Sequence, residues 1–132
     1  MSDAERAAGA AYAQAADIAD RAVKANDDQL DDTTGTEADF RAYYLQWADV
    51  ERDFVTAVEK IAMPDHLASD RTAVMDAYRQ VETVLRRFET EPLAGWDRVK
   101  LELNTAITAA IRASNVLRPR LGLPTAEEAA PT

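Results

Sequence analysis

The sequence predicts an all-α protein folded as an antiparallel up-down-up-down four-helix bundle, and three observations carry that expectation. Apolar residues recur every three or four positions through four segments, while no segment alternates apolar and polar residues as a half-buried strand does. The chain has only 4 Gly and 5 Pro, residues penalised inside helices and enriched at their ends. Gly35, Pro64, Pro92, Gly95, Pro119, Gly122, Pro124 and Pro131 fall between or beyond the periodic segments, and Gly9 alone falls inside one. Finally, the connections are too short to cross the length of a helix comfortably, so consecutive helices should run antiparallel. A single domain over 1–124 is expected, with helices at about 3–28, 37–62, 67–89 and 96–117 and a flexible tail over 125–132.

The first helix opens on Ser2-Asp3-Ala4-Glu5, a capping box in which the serine accepts from an early amide and the glutamate reaches back. Its expected inner line is Ala4, Ala8, Ala11, Ala15, Ile18 and Ala22, with Tyr12, Ala19 and Val23 beside it. Only Tyr12, Ile18 and Val23 are large. Because a large buried side chain contributes about 1.5–3 kcal/mol, this helix should contribute least to the core. Either it packs closely on a neighbour through alanine or it is the element that opens first.

In the second helix Phe40, Tyr43, Tyr44, Trp47, Val50, Phe54, Val58 and Ile61 form the strongest stripe, and both Thr34 and Thr36 offer a start. The third shows Leu67, Val74, Tyr78, Val81, Leu85 and Phe88, with Asp65 or Ser69 as its expected cap. The fourth repeats Trp96, Val99, Leu103, Ala106, Ala110, Ala113 and Leu117, with Ile107 and Ile111 widening the stripe. Pro119 should end it, and Leu121-Gly122-Leu123-Pro124 should fold back over the bundle end.

Composition excludes several classes of function. With no Cys there is no disulfide scaffold, thiolate zinc site or cysteine nucleophile. A net charge of 15 − 24 = −9 argues against nucleic acid and anionic membrane as partners, since both need a cationic surface. No run is long and apolar enough for membrane insertion, and no charged-then-apolar leader is visible. The expected location is cytoplasmic, or extracytoplasmic if the chain is a trimmed mature domain.

Catalytic patterns are missing as well. A di-iron bundle needs two Glu-x-x-His pairs, and the single His66 is preceded three residues earlier by Met63. His66 lies in a Met-Pro-Asp-His turn, so neither haem ligation nor service as a general base for Ser2, Ser69 or Ser114 is expected. No glycine-rich phosphate loop is present. No enzyme, cofactor or metal is therefore expected. The stretch from Asp27 to Asp39 holds six acids and no base, but on an EF-hand template Leu30 and Arg41 fall at the first and twelfth ligand positions, so the template fails. In the expected topology those acids share one end of the bundle with Glu89, Glu91 and Asp97, which makes that end acidic.

The leading expectation is a non-enzymatic helical-bundle domain acting through protein-protein interaction, with a protein partner or a second copy of itself. Leu45 and Leu101, which project away from their core lines, and Met75 on a flank are its expected contacts. The alternative is a small-ligand-binding bundle with an aromatic-lined pocket between helices near Tyr12, Tyr43, Trp47 and Trp96.

Overall fold

The computed structural model describes residues 1–30 and 34–129, and they are helical throughout, with no strand among them. Four long helices, α1 (Asp3–Gln29), α2 (Glu37–Glu59), α3 (Ala68–Arg86) and α4 (Trp96–Arg120), are followed by a short α5 (Ala126–Ala129). Single 3₁₀ turns at Asp65–Leu67, Arg87–Glu89 and Leu93–Gly95 extend the helix ends.

Local chemistry explains most of the boundaries. Ser2 and Glu5 close the expected capping box on α1, and Thr36 with Asp39 closes one on α2, so Thr36 rather than Thr34 is the start. On α3 the sequence expectation fails: neither Asp65 nor Ser69 caps it. The 3₁₀ turn entered from Pro64 supplies the first backbone bonds instead, Leu67 N–H donating to the Pro64 carbonyl at 2.9 Å. α2 stops at Glu59, short of the expected end, although Ile61 beyond it is still buried.

α4 runs through Pro119, which was expected to end it. Proline removes one amide and crowds the carbonyl four residues back, but near a C-terminus few later bonds depend on that site. The helix ends instead at Gly122, whose φ of 76° closes a turn in which Leu123 N–H donates to the Arg118 carbonyl at 2.9 Å. Leu121 is buried and Leu123 packs on the core, as the expected fold-back requires. Within the expected tail, α5 is pinned to α4 by Asn115, which bonds Glu127 and the Ala126 amide. Residues 130–132, like Asp31, Asp32 and Thr33 of the acidic stretch, lie outside the described residues.

The buried residues form two clusters. One joins Ala8, Tyr12, Ala15, Phe54, Val58, Leu67, Val74, Leu117 and Leu121. The other joins Ala48, Val81, Val84, Leu85, Phe88, Trp96, Val99 and Leu103, and α1 contributes nothing to it. Tyr12 is the only large α1 side chain that is fully buried, which agrees with the expected weakness of that helix. Ile18, placed on the inner line by the sequence, is instead 61% exposed. The inner column runs Ala8, Tyr12, Ala15 and on toward Ala19 and Asn26, and Ile18 sits one column outside it.

Gly9 explains itself. A Cβ at this position would run into the backbone carbonyl of Leu121, so the glycine permits the close approach of α1 to the end of α4. Other pairings tie the helices along their lengths: Asn26 with Tyr43 and Tyr12 with Phe54 join α1 to α2. Asp49 with Arg86 and Phe54 with Tyr78 join α2 to α3. Arg87 with Glu102 and Asp70 with Arg120 join α3 to α4.

Candidate functional site

The site with the most unusual chemistry lies under the middle of α1. Trp47, Glu51, Phe54 and Val58 follow one another at steps of four, three and four along α2, so the helix period turns Glu51 inward with three apolar neighbours. Glu51 is only 8% exposed. The Trp47 indole N–H donates to its Oε1 at 3.0 Å, and among the described residues no other hydrogen bond reaches the carboxyl.

A cleft of about 70 Å³ opens over it, lined by Tyr12, Ala16, Ala19, Asp20 and Val23 of α1, Glu51 and Phe54 of α2, Tyr78 of α3, and Ser114 and Arg118 of α4. Phe54 meets Tyr12 and Tyr78 edge to face at centroid distances of 5.9 and 4.9 Å. The Tyr12 and Ser114 hydroxyls share a buried hydrogen bond of 2.7 Å. Arg118 lies over the Tyr12 ring at 5.5 Å, donates from Nε to Ser114 Oγ at 3.3 Å, and reaches the Pro124 carbonyl through Nη1.

These surroundings set the electrostatics. Burial pushes the Glu51 carboxyl up to about 7; the Trp47 hydrogen bond opposes the rise, while the charges of Asp20 and Glu82 add to it. Partial burial also raises Asp20, with Arg118 opposing. Tyr12 and Tyr78 are raised chiefly by burial. Near neutrality Glu51 is therefore divided between its protonated and ionised forms.

The four residues of the expected aromatic pocket do not share any of the described clefts, although Tyr43 and Trp47 meet at a ring-centroid distance of 6.2 Å. Tyr12 lines the cleft just described, whereas Tyr43 lines a separate one of about 300 Å³ beside Asn26, Leu30 and Gly35. Trp96 is 5% exposed, edge-on to Phe88 and Tyr44, with its indole N–H on the Glu91 carbonyl and the Arg41 guanidinium over its ring. Trp47 faces the second core cluster. Trp96 is buried in the second core cluster and Trp47 packs partly buried against it, while Tyr12 of α1 and Tyr43 of α2 line different clefts.

The expected contact residues are also dispersed. Leu101 is 69% exposed on α4, Leu45 is half-buried on α2, and Met75 packs partly buried against the first core cluster. Sequence reasoning missed Ile18. It stands at an apolar groove of about 100 Å³ between α1 and α2, with Ala15, Ala19, Ala22, Val50, Phe54 and Ala57. His66 is over half exposed, 3.5 Å from Glu5. Among the described residues no group of three or more His, Cys, Asp or Glu is placed to hold a metal, and no helix is long and apolar enough to cross a membrane.

Compared with known proteins, the chain matches no family model, no curated protein and no solved structure.

Proposed function

We propose that the chain is a non-enzymatic helical bundle that acts through protein-protein interaction, using the groove between α1 and α2. The arrangement behind this proposal is up-down-up-down. Its support is the order of the pairings: residues at or just past the end of each helix meet residues early in the next, as Asn26 with Tyr43, Ile61 with Arg71 and Arg87 with Glu102 illustrate.

The observation that carries the functional reading is Ile18. A large aliphatic side chain left 61% exposed at the rim of an alanine-lined apolar groove is a surface that a helix with apolar residues at helical spacing would cover. Alternating charges on α1, Asp17 with Arg21 and Lys24 with Asp28, flank that face and give a partner polar rim contacts.

A photo-crosslinking residue in place of Ala22, in the groove, tests the reading when the full chain is expressed in its native cells. A discrete protein adduct is expected from position 22, lost on Ile18→Asp and absent when the crosslinker replaces the exposed Thr108 of α4. Adducts that are no stronger from position 22 than from position 108 would overturn it.

A further inference from the structure

We propose that the cleft beneath α1 binds a primary ammonium group, held by Glu51, Asp20 and the Tyr78 hydroxyl between the rings of Tyr12, Phe54 and Tyr78. This rests on a different site from the protein-contact reading and stands or falls separately.

The chemistry follows from what the cleft leaves unused. Glu51 is more than nine-tenths buried, and among the described residues its Oε2 takes no hydrogen bond. Neither the Asp20 carboxylate nor the Tyr78 hydroxyl makes a hydrogen bond among the described residues, and both line the same cleft. Three free acceptors around one small space match the three N–H donors of an ammonium, which has no acceptor of its own. The aromatic faces add attraction for a cation that is shed of water.

Arg118 does not already fill the role. Its hydrogen bonds go to Ser114 and the Pro124 carbonyl, it lies over the Tyr12 ring, and among the described residues it forms no ion pair with Glu51 or Asp20; its charge, which also acts on Asp20, is outnumbered by the two carboxylates. A bare divalent ion is a poorer match, because hard cations want about six or more oxygens. A quaternary head lacks the N–H donors that these oxygens call for.

Ammonium and proton compete for Glu51, so binding strengthens as pH rises through neutrality, and below about pH 7 it displaces a proton. The groups facing that carboxyl are Asp20 from α1, Tyr78 and Glu82 from α3 and Arg118 from α4, with Trp47 on its own helix.

The test follows the Trp47 indole N–H signal by NMR in the full chain at mildly alkaline pH, titrating propylammonium chloride. Tetramethylammonium chloride and NaCl at matched ionic strength serve as controls. A saturable shift with propylammonium alone is expected, weakened about tenfold by Glu51→Gln through loss of the ionic acceptor. Asp20→Asn, at the exposed mouth, should weaken it too and keeps the proposal open to refutation if Glu51→Gln disturbs folding. Nα-acetyl-lysine methylamide distinguishes the source: a response like that of propylammonium assigns a lysine side chain, and none assigns a free amine. An equal response to tetramethylammonium or NaCl, or binding untouched by both substitutions, would overturn the proposal.

Discussion

Replacing Glu51 by Gln should stabilise the protein at mildly alkaline pH and flatten its pH dependence. Burial raises this carboxyl from 4.5 to about 7 in the folded protein. At about 1.4 kcal/mol per pKa unit, the difference is worth about 3 kcal/mol. The folded state holds the proton more tightly than the unfolded chain, so this stabilisation is fully present below the unfolded pKa of 4.5, declines above it, and is lost once the pH has risen through about 7. Gln retains an oxygen for the Trp47 indole N–H and carries no charge, so it removes the titration with little change of shape. Urea unfolding of both proteins at a series of pH values is the assay. Other titrating groups are common to both and cancel in the difference. The parent should lose about 3 kcal/mol relative to the variant between pH about 4.5 and 8. Parallel profiles, or a parent that gains on the variant as pH rises, would refute the burial and charge environment assigned to Glu51.

Four other substitutions probe the packing. Tyr12→Phe removes the buried hydrogen bond to Ser114 and should cost about 1–2 kcal/mol in urea unfolding, most visibly as faster amide exchange in α1. Phe88→Ala empties the ring stack against Tyr44 and Trp96 and should cost about 3–5 kcal/mol. Ile18→Ala, at an exposed site, should change stability by less than about 0.5 kcal/mol in the isolated chain. Gly9→Ala should lower the melting temperature even though alanine is the better helix former by about 1 kcal/mol, because its methyl group meets the Leu121 backbone; a rise would contradict the close approach of α1 to the end of α4.

Much of the fold was legible in the sequence because helix period and helix punctuation are local signals. Gly35, Pro64, Pro92, Gly95, Gly122 and Pro124 stand at or between helix ends, Pro119 lies inside α4, and Gly9 needed a partner from the far end of the chain to explain it. Tertiary packing decided what the periodicity left open. Alanine is too small and too evenly spread along α1 to define a single stripe, so Ile18 was assigned to the wrong column. The third helix starts on a 3₁₀ turn rather than a side-chain cap, a choice set by Pro64 and the burial of Leu67.

The candidate site was half legible. Glu51 stands four residues after Trp47 and three before Phe54, a charged residue on an apolar line, and that interruption was the signal available. Ser114 likewise interrupts the line between Ala110 and Leu117. Asp20, Tyr78 and Arg118 meet Glu51 only once four helices are brought together, which no local spacing encodes.

The protein's lack of cysteine allows the protein-contact reading to be tested where it matters, inside native cells. A single cysteine introduced as Ala22→Cys in the α1–α2 groove, or as Thr108→Cys on the outer face of α4, gives a unique site for a cell-permeant maleimide. If a partner covers the groove, position 22 should label markedly more slowly in cells than in the purified chain, while position 108 labels alike in both. Equal relative labelling of the two positions in cells and in isolation would contradict a covered groove.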